Sequence, residues 1–472
     1  AGVTLRVVSG LSAEELCEVT VCHDVLICGL KVLLAPFLKA TPLEQRFVLG
    51  GRALRDDEAV GGLTEADTCE IAFVRIDAKW AITLEELRCG ARLLDELEEE
   101  VRDTWEAAAA AVSKSGMALG YASARLRGDK DLVMLAIRKT GNAVRHASSQ
   151  LQADISVALA AVRRTGRALQ YVAPELQACR EVVLAAVEQD GMALAHAAPA
   201  LQCDRELVLE AVTRSGQALQ YAAEELRGDG EIVKIAVVNS CGGAIEFAAD
   251  HLKGDPEIMG SAVELDGLSL QFAPAALRRH KELVLTAVDD TGMALKYASE
   301  KLQQDRAVVL TAVRRNGLAI EYAARRFRKD AQVMTEAVRQ FGELLAKAEG
   351  NLQGDRRVVM AAVQQDGMAL KHASPGPQGD KAIVLEAVRR NPMALQYASS
   401  SLQSDREVAL AAIRKQGYAL QYAGWSLRCD RDVVRAALEH AGSCALEYAA
   451  EELQHDSELK ELAAFVDRIL LD

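Results

Sequence analysis

A short repeat constrains the fold of this chain more than any other feature of its sequence. Aspartate returns every 25 or 26 residues from Asp103 to Asp456, with Cys179 and His280 in two of its places. A glycine stands midway in nearly every interval, and Pro392 takes that place once. Fourteen units therefore run from Asp103 to His455. A fixed period of this length is typical of stacked repeat architectures.

The unit at 204–228 shows what each repeat is expected to form. Asp204 is predicted to cap a first helix, because its carboxylate can accept hydrogen bonds from free backbone N–H groups. Gly216 is predicted to end that helix in a left-handed turn. The apolar residues lie on one face of each of two predicted helices, namely Leu207, Val208, Ala211 and Val212 in the first, and Ala218, Leu219, Ala222, Ala223 and Leu226 in the second.

One such hairpin cannot bury its apolar face alone, whereas stacked hairpins share a core. The sequence therefore predicts a mostly α chain, an α-solenoid of about 25-residue helical hairpins. The pattern D-R-E-x-V-L-x-A-V…G-x-A-L-x-Y-A-x-x-x-L stands in full at 204–226 and, with two or three substitutions, at 305–327 and 405–427. It resembles the short helical repeats grouped as domain of unknown function 4116. That resemblance implies no activity and favours a repeat scaffold over an enzyme.

An aromatic residue or histidine occupies one place in thirteen of the fourteen units. Two interpretations are open: a stacking ladder for nucleic-acid bases, or rings that pack between neighbouring hairpins. Packing is favoured, because a fixed place in the repeat is what packing demands. The residues are Tyr121, His146, Tyr171, His196, Tyr221, Phe247, Phe272, Tyr297, Tyr322, His372, Tyr397, Tyr422 and Tyr448.

The first 76 residues lie outside the repeat and alternate in a strand-like way. Strands are predicted at 3–8, 16–21, 45–49 and 69–74, with a helix over 26–37 that Pro36 and Thr41-Pro42 end. The order of these elements resembles ubiquitin. The matching segments are Q-R-F-V-L-G-G-R-A-L-R-D-D at 45–57 and L-T-E-A-D-T-C-E-I-A-F-V at 63–74. An N-terminal α+β ubiquitin-like (β-grasp) domain is therefore expected.

This domain departs from ubiquitin where ubiquitin functions. Arg75-Ile76-Asp77 stands where ubiquitin has its two-glycine tail, so the domain is not expected to be conjugated unless it is cleaved. The places matching the ubiquitin recognition patch hold Gly10, Val48 and Ala72, with Glu70 beside them. Only Val48 keeps a sizeable apolar group, which argues against docking to general ubiquitin receptors.

Four segments are predicted: a ubiquitin-like domain at 1–76, a degenerate capping repeat at 77–102, the fourteen repeats at 103–455 and a C-terminal capping helix within 456–472. In the capping repeat, Thr83 with Glu86 matches a capping box and predicts a late helix start. Almost no linker precedes this repeat, so the ubiquitin-like domain is expected to be mounted rigidly.

Two adjacent units and the turn after them are irregular. Lys347 replaces the aromatic residue, and the segment Ser374-Pro375-Gly376-Pro377 is predicted to end a helix. Pro392 replaces the midway glycine, where proline suits the first residue of a helix. Two explanations of these irregularities are open: neutral sequence drift in a loop, and a hinge or partner-specific surface. The candidate partner-binding residues are Val48, Glu70, Ala72, Lys347, Pro375, Pro377 and Pro392.

Charge argues against a dedicated nucleic-acid binder, because the 472 residues carry a net charge of −13 and such proteins are usually basic. Pairs of cations nevertheless recur before the midway turn, at 138–139, 163–164, 314–315, 389–390 and 414–415. They suit the negative end of a helix dipole. The alternative is a basic stripe for an acidic partner, interrupted in the middle of the array.

No catalytic or cofactor motif stands out in the sequence. The ten cysteines have no zinc-site spacing and fit a reducing compartment, with cytoplasm or nucleus favoured and an organelle left open. No cofactor, metal or catalytic residue is predicted, and no apolar run reaches the ~20 residues of a membrane span.

The function expected from these features is a non-enzymatic protein–protein interaction scaffold or adaptor, possibly a structural subunit of a larger assembly. The alternatives are an adaptor of ubiquitin or proteasome pathways and an RNA-binding helical-repeat protein. Enzymatic activity is the weakest of these hypotheses. The partners are expected to be one or more proteins, and the sequence leaves their identity and the oligomeric state open.

Overall fold

The fold was analysed in a computed structural model that describes residues 2–54, 58–64 and 68–471. The chain forms two compact units, one that ends at Ala223 and one that begins at Glu224, and each is described by itself. The first contains a small β-sheet followed by helical repeats, and the second contains helical repeats alone. The predicted fold class is confirmed.

Five strands form the N-terminal sheet. They are β1 (Gly2–Ser9), β2 (Glu15–Cys22), β3 (Gln45–Leu49), β4 (Arg52–Ala53) and β5 (Thr68–Arg75). The strand order is β2-β1-β5-β3-β4. Strands β1 and β5 are parallel, and the other pairs are antiparallel. This mixed sheet is the ubiquitin-like start that the sequence predicted.

Helix α1 (Ile27–Leu38) packs on the sheet through Ile27, Leu30 and Leu34, which are buried. The predicted bounds of 26–37 agree with α1 to one residue at each end, but Pro36 lies inside the helix and does not end it. Leu38 in the last turn packs against the core, and the C-cap is Lys39, whose φ is 49°. A 3-10 helix, Pro42–Glu44, leads into β3.

Helix α2 (Ala78–Cys89) follows β5 after only two residues. The expected late start at Thr83 is wrong, because the carboxylate of Asp77 accepts a hydrogen bond from the N–H of Trp80 and caps the helix earlier. The Thr83 hydroxyl instead donates to the Lys79 carbonyl at 3.1 Å. A 3-10 helix, Leu94–Glu96, and a short α-turn, Glu99–Arg102, complete this segment.

Contacts join the ubiquitin-like domain to the helices that follow it. Helix α2 packs against the 3-10 helix Pro42–Glu44. The guanidinium of Arg46 lies 3.2 Å from the carboxylate of Glu106. Rigid mounting and the boundaries at 76, 102 and 455 stay predictions.

Each repeat has three pieces rather than two. The first helices usually have ten residues, and they are Trp105–Lys114, Lys130–Lys139, Ile155–Arg164, Arg180–Gln189, Arg205–Arg214, Gly230–Asn239, Pro256–Leu265, Lys281–Asp290, Arg306–Arg315, Ala331–Gln340, Arg356–Gln365, Lys381–Arg390, Arg406–Ile413 and Arg431–Ala441. The second helix of the predicted hairpin is divided. Its first part is a 3-10 helix and its second part is a single short turn.

The 3-10 helices are Gly116–Tyr121, Gly141–His146, Gly166–Tyr171, Gly191–His196, Gly216–Tyr221, Gly243–Phe247, Gly267–Phe272, Gly292–Tyr297, Gly317–Glu321, Gly342–Lys347, Gly367–His372, Pro392–Tyr397 and Gly417–Tyr422, with an α-turn, Ser443–Leu446, in the last unit. The four-residue α-turns that follow are Ala124–Arg127, Ser149–Gln152, Pro174–Gln177, Pro199–Gln202, Glu224–Arg227, Asp250–Lys253, Glu300–Gln303, Pro375–Gln378, Ser400–Gln403, Trp425–Arg428 and Glu451–Gln454. Three units have a 3-10 turn there instead, at Leu277–Arg279, Arg325–Lys329 and Leu352–Gly354.

Aspartate caps most first helices, as predicted. The Oδ1 atom of Asp154, for example, accepts hydrogen bonds from the N–H groups of Ser156 and Val157 at 2.8 and 3.2 Å. Asp103 is an exception, because it ends a short turn and Thr104 precedes the helix that begins at Trp105. The predicted apolar positions of the unit at 204–228 are buried, except Ala223 and Leu226, which are half-buried.

The midway glycine has a different role from the one predicted. A left-handed glycine occurs there only at Gly242 and Gly442, whose φ values are +91° and +54°. Both lie in units of 26 residues, where the backbone must absorb one more residue. Elsewhere the glycine permits close packing. A Cβ atom on Gly141 would lie 2.5 Å from the carbonyl oxygen of Ala161 in the next unit.

A backbone hydrogen bond also joins successive units. The N–H of Ala173 donates to the carbonyl of Gln152 at 3.0 Å, and the N–H of Ser399 donates to the carbonyl of Gln378 at 2.8 Å. A final helix, Ser457–Leu471, lies within the segment 456–472. The carboxylate of Asp456 caps it by accepting from the N–H groups of Glu458 and Leu459.

Candidate interaction surfaces

The three candidate residues of the ubiquitin-like domain lie together on its sheet. Val48 in β3 pairs directly with Ala72 in β5. Glu70 lies two residues earlier in β5, and so on the same face. Val48 and Ala72 are half-buried and Glu70 is exposed. These residues therefore form a small apolar surface beside one carboxylate. Its role in partner binding stays a prediction.

Lys347 has a partner inside the chain. Its ammonium group forms an ion pair with the carboxylate of Glu321, in the preceding unit. Glu321 comes just before the aromatic Tyr322. The matching residues of two other units, Arg145 and Lys296, lie against the ring of the next unit. The substitution therefore places an ion pair where these units have a cation–ring contact.

The three candidate prolines lie in helical turns rather than in a loop. The segment 374–377 does not end a helix as predicted, because Pro375 starts the turn Pro375–Gln378, where the missing N–H costs nothing. Pro377 is buried in the place that leucine takes in other units, and Pro375 is exposed. Pro392 starts a 3-10 helix, as expected. The first helix of the following unit, Arg406–Ile413, is two residues shorter than most others.

The aromatic residues of the repeat are half-buried, apart from the more exposed Tyr121. Cations lie over several rings: the guanidinium of Arg145 is 5.5 Å from the ring centre of Tyr171, and the ammonium of Lys296 is 6.0 Å from that of Tyr322. Burial lowers the pKa of His146 below its ordinary value, and Arg145 and Arg127 lower it further. These contacts support packing between units as the role of this place.

The capping aspartates bind a second group that sequence reasoning missed. The Oδ2 atom of Asp154 lies 2.7 Å from the ammonium of Lys130 in the preceding unit, while Oδ1 caps the helix. The hydrogen bond from Lys381 likewise holds the pKa of Asp405 below its ordinary value, with further bonds from the N–H groups of Val408 and Glu407. The available signal was a recurrent cation at the place directly after the capping residue. It occurs as Lys130, Arg180, Lys281, Arg306, Arg356, Lys381, Arg406 and Arg431, and that capping residue is aspartate except at Cys179 and His280.

Sequence reasoning also missed the role of the glutamine that follows the last leucine of many units. The side-chain amide of Gln403 donates to the carbonyls of Leu395 and Gln396 at 3.2 and 3.1 Å, and Gln303 repeats this pattern with Leu295 and Lys296. The amide satisfies carbonyls at the end of the 3-10 helix. Its signal was the recurring Leu-Gln pair.

Five cations at the ends of three successive helices form a basic patch: Lys114, Arg138, Lys139, Arg163 and Arg164. All five are exposed. The three helices pack in sequence, 105–114 on 130–139 and 130–139 on 155–164. Within the described ranges, no ion pair or side-chain hydrogen bond involves these five. They are therefore a concentration of positive charge without an internal counterion.

The second compact unit has an open depression of about 420 Å³. Glu264, Thr286, Asp289, Asp290 and Arg315 line it. Arg315 pairs with Asp289 at 2.9 Å. Across the residues that the structure describes, no group of His, Cys, Asp and Glu side chains is arranged to hold a metal ion. No described helix is long and apolar enough to cross a membrane.

The sheet topology and the three-piece repeat define this chain as a helical-repeat protein with a ubiquitin-like N-terminal region. It belongs to the family described as a domain of unknown function (DUF4116). The family model matches residues 106–152, 154–202, 204–237, 236–278, 280–328, 330–376 and 380–428. No curated protein and no solved structure matches the chain.

Proposed function

We propose that this chain is a non-enzymatic scaffold or adaptor that binds one or more proteins. The observation that supports it is the contrast between buried and exposed positions of the repeat. Ala136, Ala161 and Ala186 are identical and buried in successive units. Two residues later the exposed side chains are Arg138, Arg163 and Glu188. A constant frame thus carries a surface that differs from unit to unit.

A surface of this kind suits protein recognition, because specificity needs side chains that differ along the array. The repeats expose many such side chains on regular helices, which keep the relative positions of their contacts. The ubiquitin-like domain adds a second surface at Val48 and Ala72. A scaffold with two surfaces can hold two partners at once.

A ubiquitin or proteasome pathway adaptor is the second candidate, favoured by the ubiquitin-like sheet and by the pairing of Val48 with Ala72. Three features weigh against it. Ala72 is small, Glu70 places a charge beside the patch, and Gly10 adds no side chain. The same patch can serve another partner in the scaffold.

Affinity capture of the full chain from native extract, with cross-linking and mass spectrometry, tests the proposal. RNase treatment should leave the recovered proteins in place. Ala72→Glu should remove only partners that use the ubiquitin-like sheet, and Val32→Glu on the exposed side of α1 is its charge-matched control. Recovery of RNA-dependent material alone, or of no reproducible protein, would count against a scaffold.

A further inference from the structure

The basic patch differs from the other cation pairs of the repeat. In the second compact unit, Arg315 pairs with Asp289 at 2.9 Å and Arg390 pairs with Glu386 at 3.2 Å. Lys415 is held by backbone carbonyls of the preceding helix, among them that of Arg389. Each of those three pairs thus has at least one cation bound inside the chain. The patch residues bind no such group in the described part of the chain.

Helix dipoles alone do not account for this concentration of charge. A cation near a helix C-terminus gains about 0.3–1 kcal/mol at an exposed site. One cation on each helix would provide that gain, yet two of the three helices carry two. Like charges on adjacent helices also repel each other across the patch. An anionic partner would offset that repulsion.

The patch has limits on both sides. The next unit carries Glu188 at the place that Arg138 and Arg163 occupy. On the other side, the end of helix α2 carries Arg88, which pairs with Glu85 at 3.7 Å. The patch is therefore three helices wide. This width fits a short segment better than a long polyanion, which would meet the carboxylate of Glu188.

The spacing of the helices sets the spacing of the anions. Packed helices lie about 8–10 Å apart, so the cations repeat at that interval across the three helices. An extended chain in the polyproline II conformation has three residues per turn and rises about 3.1 Å per residue. Every third side chain therefore returns to the same face at an interval of about 9 Å, which matches the repeat of the cations.

We infer that the basic patch binds an extended acidic segment of a partner protein, with carboxylates at every third residue. This inference rests on the proposed scaffold function and names the chemistry of one partner. Each carboxylate would face the exposed cations at one helix end. The five cations are Lys114, Arg138, Lys139, Arg163 and Arg164, and three carboxylates at i, i+3 and i+6 would span the patch.

A labelled ten-residue peptide with glutamate at positions 1, 4, 7 and 10, and serine and glycine between, is the probe. Its binding to the full chain is followed by fluorescence anisotropy at 0.05 M and 0.3 M NaCl. The test variant is Arg138→Glu with Arg163→Glu. The control is Arg389→Glu with Arg414→Glu, which changes the same repeat place by the same charge in the second compact unit. Circular dichroism verifies that both variants are folded.

The test variant should bind the peptide at least about tenfold more weakly, because two attractions become repulsions, and the control should bind like the wild type. Salt should weaken binding, since exposed charges are screened beyond about 8 Å at physiological ionic strength. A peptide with its four glutamates adjacent should bind at least about threefold more weakly. Equal binding of both peptides would overturn the assigned spacing.

The inference is overturned if neither variant changes binding, if both lose it equally, or if a twelve-nucleotide oligouridylate binds the patch more tightly than the peptide. The scaffold proposal has a separate readout. Failure of the peptide together with recovery of protein partners from extract rejects the acidic segment and leaves the scaffold. Binding of the peptide without recovery of any protein partner supports the site for an acidic segment and counts against the scaffold.

Discussion

Single residues join one repeat to the next. The midway glycine brings the start of each 3-10 helix against a carbonyl of the following unit, and the capping aspartate binds both its own helix and a cation of the preceding unit. The sequence indicated the positions of both residues. It did not indicate the close contact, because the carbonyl that excludes a side chain lies twenty residues further along and belongs to the backbone.

Alanine in place of Gly292 should destabilise the chain. Its Cβ atom would lie 2.3 Å from the carbonyl oxygen of Ala312, and overpacking of this kind costs about 1–3 kcal/mol. Urea unfolding followed by circular dichroism measures the loss. Gly260→Ala is the matched control, because nothing lies within 4 Å of its Cβ position. It lies inside a helix, where alanine should stabilise by about 0.5–1 kcal/mol. Equal changes in the free energy of unfolding for the two variants would contradict the role of Gly292 in close packing.

The two functions of a capping aspartate can be separated at Asp405. Asp405→Ala should cost about 1 kcal/mol or somewhat more, since it removes the helix cap and the contact with Lys381. Asp405→Asn should cost less, because asparagine caps about as well as aspartate and only the charge is lost. Midpoints of urea unfolding compare the variants. A larger loss for asparagine than for alanine would contradict this assignment.

At the scale of elements, the sequence predicted where the units begin and which residues they bury. It did not predict the division of the second helix. The six residues from glycine to tyrosine are too few to separate a period of 3.6 from one of 3.0, so Ala218, Leu219 and Ala222 fit either. The continuation of α1 past Pro36 and the start of α2 were also missed, because tertiary contacts of Leu38 and the helix cap at Asp77 override the local signals.

The ion pair of Lys347 is expected to stabilise less than the ring it replaces. Lys347→Tyr should raise the stability of the chain by about 0.5–2 kcal/mol, the range of many substitutions toward a consensus. Tyrosine would restore a half-buried contact with the preceding unit. The unfolding temperature measures the gain. Lys347→Ala, which removes the ion pair without supplying a ring, is the control and should lower that temperature, whereas a gain for alanine alone would contradict the proposed contact.

The whole molecule repeats one electrostatic arrangement many times, and this sets its response to acid. Hydrogen bonds from Lys130, Lys281 and Arg356 lower the pKa values of Asp154, Asp305 and Asp380, respectively. The folded chain therefore holds these carboxylates deprotonated at a pH where the unfolded chain, with a pKa near 3.9, binds protons. Their contribution to stability is complete above that value and decreases as the pH falls through the folded pKa.

The urea midpoint is therefore expected to decrease steeply below pH 4. A smaller decrease is expected between pH 7 and pH 5, because burial lowers the pKa of His146, His196 and His372, so the unfolded chain, with a histidine pKa near 6.5, binds protons before the folded chain does. Midpoints at pH 7, 5, 4 and 3 test the prediction. The double variant Asp154→Asn with Asp380→Asn should show a smaller decrease of the urea midpoint below pH 4. An unchanged pH profile of that variant would contradict the assignment.

The class of the whole chain was predictable from the period of Asp and Gly and from the motif at 45–57. The candidate surface was only partly predictable. The sequence showed cation pairs at 138–139 and 163–164, but whether a cation is bound within the chain depends on side chains of other units, such as Asp289 for Arg315. Lys347 looked available for a partner for the same reason, because Glu321 is 26 residues away.

The native mass of the complex that contains this chain tests the scaffold proposal most directly. The chain would be tagged in its own cells, isolated gently and measured by mass photometry before and after RNase. The proposal predicts a mass well above the 50.8 kDa of the chain, with other proteins in fixed proportion and no change after RNase. A particle of 50.8 kDa, or a larger one that RNase reduces to that mass, would contradict it.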